Sequence, residues 1–83
     1  MNRALEVWVV DDDASIRWVL ERALGQAGMR PRTFEQADGA IAALGHGEPD
    51  VLVTDIRMPG ASGLKLLEAL HRTRPALPVI VMT

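Results

Sequence analysis

The chain has 83 residues, 48% apolar and 24% charged, which is enough for one small globular domain and no more. It has no cysteine, so disulfides and thiolate metal sites are excluded, and a net charge of −2 leaves no basic footprint for nucleic acid. No apolar run approaches the roughly 18 residues of a membrane helix, and the first apolar stretch is too short for a secretory core, so the chain reads as soluble and cytoplasmic.

Residues 5–10, LEVWVV, form a short and nearly continuous apolar run rich in Val, as expected of a strand buried on both faces. From Ser15 the period changes. Ile16, Val19, Leu20, Ala23, Leu24 and Ala27 fall on one helical stripe, with Arg17, Glu21 and Arg22 turned elsewhere. Gly28 stands where a helix-closing residue belongs. Residues 29–34 predict a second strand, and Pro31, which has no N–H to donate, assigns it to a sheet edge. Residues 38–44 predict a short helix ending in the turn 45–47, and residues 51–54 a third strand. Residues 63–74 predict a helix with Leu64, Leu67 and Leu70 on one side, stopped before Pro75. Residues 78–82 predict a fourth strand. Trp8 is expected in the core and Trp18, off its helix's stripe, partly exposed; His46 and His71 are expected on the solvated surface.

The order β-α-β-α-β-α-β argues for an α/β fold with a parallel sheet and right-handed crossovers. A fourth strand with no following helix is expected to leave one edge and one face poorly covered, so residues 1–83 read as one domain, incomplete at its C-terminal end.

In a parallel sheet all strand C-termini point the same way, and ligands bind in the crevice outside them. Asp11, Asp12 and Asp13 follow the first strand, Asp55 the third and Thr83 the fourth. Carboxylates about 5 Å apart repel by roughly 3 kcal/mol per pair at an effective dielectric near 20. Either some keep their protons or a cation neutralises them. Short oxygen ligands suit Mg²⁺, which retains several waters and takes one or two carboxylates plus a phosphate. Taken singly, Asp13 reads as a helix N-cap and Asp55 as a turn-former. Their shared rim favours a metal-phosphate site.

These residues carry a recognisable pattern. The acids after the first strand, TDIRMPGASG after the third and VIVMT at the fourth resemble receiver domains of two-component response regulators, over all 83 residues. VWVVDDDASIRWVLERAL is similar to the nitrogen-regulation activators of the NtrC type. The resemblance implies a flavodoxin-like (CheY-like) doubly wound sheet of strand order 2-1-3-4. It implies that Asp55 is the phosphoacceptor, taking a phosphoryl group from a sensor histidine kinase. Strand geometry alone does not choose among the three consecutive aspartates. The resemblance favours Asp12 and Asp13 as Mg²⁺ ligands, Asp13 directly and Asp12 largely through water, with Asp55 and the backbone carbonyl of Arg57 completing the set. Met58-Pro59-Gly60 would shape the turn that presents that carbonyl, and Gly63 would give the next helix a compact start. Thr83 would hydrogen-bond a phosphoryl oxygen and move toward it, a switch driven by the added charge.

Such a domain is a regulatory phosphoacceptor, catalysing at most its own phosphorylation and autodephosphorylation. An NtrC-like parent implies a C-terminal ATPase working with sigma-54 polymerase and a DNA-binding domain, while this segment itself contacts neither nucleic acid nor membrane. Family receivers continue through a fourth helix, a fifth strand with a lysine before proline, and a fifth helix, none of which lies in these 83 residues. The fourth strand is then an open edge available for self-association. Two other readings stand beside this one. Asp11-x-Asp13 also resembles haloacid-dehalogenase-type phosphatases with Asp11 as nucleophile, although Ser15 replaces the usual Thr or Val and TDIRMPG has no role there. The fold could instead serve as a non-phosphorylated interaction module.

Overall fold

The computed structural model describes residues 3–55 and 63–82. Its elements are β1 (Glu6–Val10), α1 (Ala14–Gln26), β2 (Arg30–Phe34), α2 (Ala37–Leu44), β3 (Val51–Asp55), α3 (Gly63–Thr73) and β4 (Val79–Met82). The four strands form one sheet in the order β2-β1-β3-β4, and every pairing is parallel. The parallel pairing is what the alternating pattern predicts, and the strand order is the one the family resemblance implies. Strand β3 runs one residue further than its apolar run suggests, because Asp55 still pairs with Met82 of β4.

Val7, Trp8, Val9 and Val10 of β1 are all buried, as a central strand covered on both faces requires. Alternation sends Trp8 and Val10 to one face, where they meet Leu52 of β3, Ala37, Ala40, Ala43 and Leu44 of α2, and Leu66 and Leu70 of α3. Three alanines of α2 pack into this cluster, and Phe34 closes it with its ring 5.1 Å from that of Trp8. Helix α1 lies against β1 and β2 on the opposite side.

That helix departs from expectation. None of its residues is buried, and Ile16 and Val19, both on the predicted stripe, are exposed. Only Arg17, Leu20 and Leu24 are half-buried. A helix packed on a sheet with no neighbouring helix among the described residues touches it along a narrow line, so the rest of its apolar stripe stays in solvent. Trp18 is exposed as expected, with the Arg22 guanidinium 4.9 Å above its ring.

The helix ends are held by specific bonds. At the end of α1, Met29 N–H donates to the Leu24 carbonyl (3.0 Å) and Gly28 N–H to that of Gly25 (3.1 Å). This is a Schellman closure, and it needs the positive φ of +84° that Gly28 adopts at little cost. At the end of α2, Arg74 donates to the Leu44 carbonyl (2.7 Å) while its Nε lies 3.7 Å from Glu48. Pro31 sits in edge strand β2, and Ile80 and Val81 of β4, the other edge, are exposed. Among the described residues no helix is long and apolar enough to cross a membrane.

Candidate functional site: an acidic corner at the strand tips

Strand β1 delivers Asp11 directly from the core. Its side chain is 4% exposed, and its N–H donates to the Phe34 carbonyl (3.1 Å), so the ladder with β2 continues one step past β1. The Asp11 Oδ1 accepts the N–H of Asp13 at 2.8 Å, a local bond of the kind that short carboxylates make in turns. Asp12, between them, is exposed. Asp55 ends β3, half-buried, with its backbone held in register by β4. Carboxylate oxygens of Asp11, Asp12 and Asp55 all lie within 4.8 Å of one another.

The triad differs at one position from the carboxylates that the family resemblance favours. Asp12 and Asp55 are in it, and Asp11 stands where Asp13 was expected. The reason is local. Asp13 is the N-cap of α1, in extended backbone (φ −88°, ψ 114°), and its Oδ1 accepts the N–H groups of Ser15 (2.8 Å) and Ile16 (3.3 Å). Its carboxylate is committed to the helix start. Arg57, Thr83 and the turn Met58-Pro59-Gly60 lie outside the described residues. His46 and His71 are exposed, as expected of surface residues.

At 4.8 Å two full charges repel by about 3.5 kcal/mol at an effective dielectric near 20. The Asp11 carboxyl is pushed above its ordinary range. Burial is the main cause, the Asp13 N–H opposes it, and the charges of Asp55, Asp12 and Asp13 add to it. A divalent cation would relieve this strain. Mg²⁺–oxygen bonds of about 2.1 Å place neighbouring ligands roughly 3 to 4 Å apart, so the triad needs only small side-chain adjustments to share one ion.

Two supporting residues escaped the sequence reading. Arg17 was expected to point away, yet its Nη1 donates to the main-chain carbonyl of Asp11 at 2.7 Å, and its Nη2 lies 4.0 Å from Glu35. Helical side chains lean toward the helix N-terminus, so a long residue one turn into α1 can reach back over the loop before it. Thr54 is fully buried and donates its hydroxyl to the Asp55 carbonyl at 3.2 Å.

Residues 7–83 match the family model of the response regulator receiver domain. The chain belongs to that family. It is 60% identical over its full length to the DNA-binding transcriptional regulator NtrC of Salmonella typhimurium and 58% identical to that of Escherichia coli K12, spanning 18% of each relative. The solved structure of the beryllofluoride-activated NtrC receiver domain superposes with a TM-score of 0.83 at 58% identity, covering all of this chain and 66% of that one. The Vibrio cholerae chemotaxis regulator CheY4 superposes at 0.90 with 26% identity, covering 95% of this chain and 68% of that one. The receiver carries NtrC-type sequence on a CheY-like fold, and the phosphatase alternative finds no support in these matches.

Proposed function

We propose that this receiver is phosphorylated on Asp55 by a sensor histidine kinase in a reaction that depends on Mg²⁺. The observation that carries the reading is the meeting of Asp11, Asp12 and Asp55 at the tips of β1 and β3. Asp55 sits at the end of its strand, where an incoming donor can approach, while pairing with β4 fixes the backbone behind it. One Asp55 carboxylate oxygen attacks phosphorus. The new O–P bond forms as the P–N bond of the donor phosphohistidine breaks, and the imidazole nitrogen keeps the electron pair and takes up a proton. The protein's contribution is positioning and charge neutralisation. Bound Mg²⁺ would supply the positive charge that offsets both the carboxylates and the arriving phosphoryl oxygens.

Asp12 and Asp55 are the proposed direct ligands, with Asp11 beside them and the Arg57 carbonyl completing the set as the family resemblance implies. Asp13 serves as the helix cap. Thr83 is proposed to hydrogen-bond the phosphoryl group once formed.

The chain spans less than a fifth of the curated relatives and about two thirds of the related receiver structures. Residues 1–83 are therefore read as part of a receiver in a longer cytoplasmic regulator. Its proposed output is nitrogen-regulated transcription through a sigma-54-dependent ATPase and a DNA-binding domain.

The test is to incubate the chain with a small acyl-phosphate donor and Mg²⁺, reduce the product with borohydride, and locate the modified residue by mass spectrometry. Modification at Asp55 supports the reading. Modification at Asp11 returns the phosphatase-type nucleophile, and no modification refutes phosphoacceptor competence of this chain.

A further inference from the structure

We infer that Arg17 is a positioning residue for the acidic triad, setting Mg²⁺ affinity through the main chain between Asp11 and Asp12. The inference rests on the metal site proposed above. Arg22, on the same helix, lies over the exposed Trp18 ring. Arg17 is only 19% exposed, and its Nη1 holds the Asp11 carbonyl at 2.7 Å.

Three bonds converge on Asp11. Its N–H is held by Phe34 (3.1 Å), its carboxylate by the Asp13 N–H (2.8 Å), and its carbonyl by Arg17. That carbonyl belongs to the peptide plane joining Asp11 to Asp12. Without Arg17 the plane loses the bond that fixes its rotation, and the directions in which Asp11 and Asp12 present their oxygens are no longer set together. The exposed Glu35 carboxylate, on the loop between β2 and α2, lies 4.0 Å from Nη2, so the bond to the Asp11 carbonyl is the short contact that holds the guanidinium.

The sign of the effect separates positioning from charge. Removing a cation near three carboxylates would, by Coulomb attraction alone, tighten binding of a divalent ion. Loosening the residues that orient metal ligands does the opposite, typically by about 10- to 100-fold in affinity.

The experiment is calorimetric titration of the 83-residue chain with Mg²⁺ for wild type, Arg17→Met and Arg17→Lys. The expected result is a Kd raised about tenfold or more in Arg17→Met. Partial recovery is expected in Arg17→Lys, which keeps the charge but not the fork. The metal-free ¹H–¹⁵N spectrum supplies a second readout. The Asp13 amide, bonded to Asp11, should shift in both variants, while the amides of β4 stay in place and report an intact fold. If Arg17→Met does not fold, the Arg17→Lys affinity and Asp13 shift decide alone. Variants that bind Mg²⁺ as tightly as wild type or more tightly, or an unmoved Asp13 amide, overturn the positioning role. A wild-type chain that binds no Mg²⁺ overturns the metal site and this inference together, so the two failures are told apart.

Discussion

Replacing Asp11 with Asn should stabilise the metal-free protein at neutral pH, although it alters a buried residue beside the proposed phosphoacceptor. The Asp11 carboxylate lies within 4.8 Å of those of Asp12 and Asp55. Each ionised pair costs about 3.5 kcal/mol at an effective dielectric near 20, and about 0.9 kcal/mol if water fully screens it. Asp12 is exposed and Asp55 half-buried, so a net gain of about 2 kcal/mol on removing one charge is the central expectation. For a domain of this size that corresponds to a Tm rise of roughly 8–16 °C. Asn keeps an oxygen for the Asp13 N–H, so the local turn survives. The pH dependence follows from the raised Asp11 pKa. The native state holds this proton at a pH where the unfolded chain, near 3.8, has released it, so wild-type stability falls as pH climbs from 3.8 through the folded value. The advantage of Asp11→Asn should be larger at pH 7 than near pH 3, where both states are largely protonated. Thermal melts in EDTA at the two pH values provide the measurement. Equal stability at pH 7, or an equal gain at both pH values, would refute the electrostatic reasoning.

Asp13→Ala should cost about 1 kcal/mol in urea denaturation through loss of the α1 cap, yet leave the Mg²⁺ Kd within about twofold. Asp12→Ala should do the reverse, sparing stability and abolishing measurable Mg²⁺ binding in the same titration. Leu66→Ala, at a fully buried position between α3 and the sheet, should cost about 2–5 kcal/mol by equilibrium denaturation. Gly28→Ala should cost about 1 kcal/mol in the same assay, because the closure of α1 requires a positive φ there.

The element order and the parallel sheet were legible because their signals are local and redundant, whereas the strand order came from the family resemblance. The Val-rich, nearly continuous apolar run of β1, Pro31 in edge strand β2 and Gly28 after α1 each mark a position that few arrangements satisfy, and the structure uses all three as read. The extent of α1 burial was not legible, since an apolar stripe states which side of a helix prefers cover and not how much cover the fold provides. The acidic corner was legible as a place but not residue by residue. Asp11, Asp12 and Asp13 are chemically identical and consecutive. What separates them is that the ladder with β2 still reaches Asp11, one step past β1, while Asp13 is already the cap of α1, a boundary that composition does not mark. Arg17 was missed for a related reason: periodicity places its Cα off the stripe, and its side chain is long enough to ignore that.

The most direct test is the rate at which Asp55 acquires phosphate from a small acyl-phosphate donor as Mg²⁺ is titrated, in wild type and in Asp12→Ala. The account predicts a rate that rises and saturates with Mg²⁺ in wild type and stays near the metal-free baseline in Asp12→Ala. Equal Asp55 phosphorylation with and without Mg²⁺, or in both proteins, would contradict a shared metal-phosphate site at these strand tips.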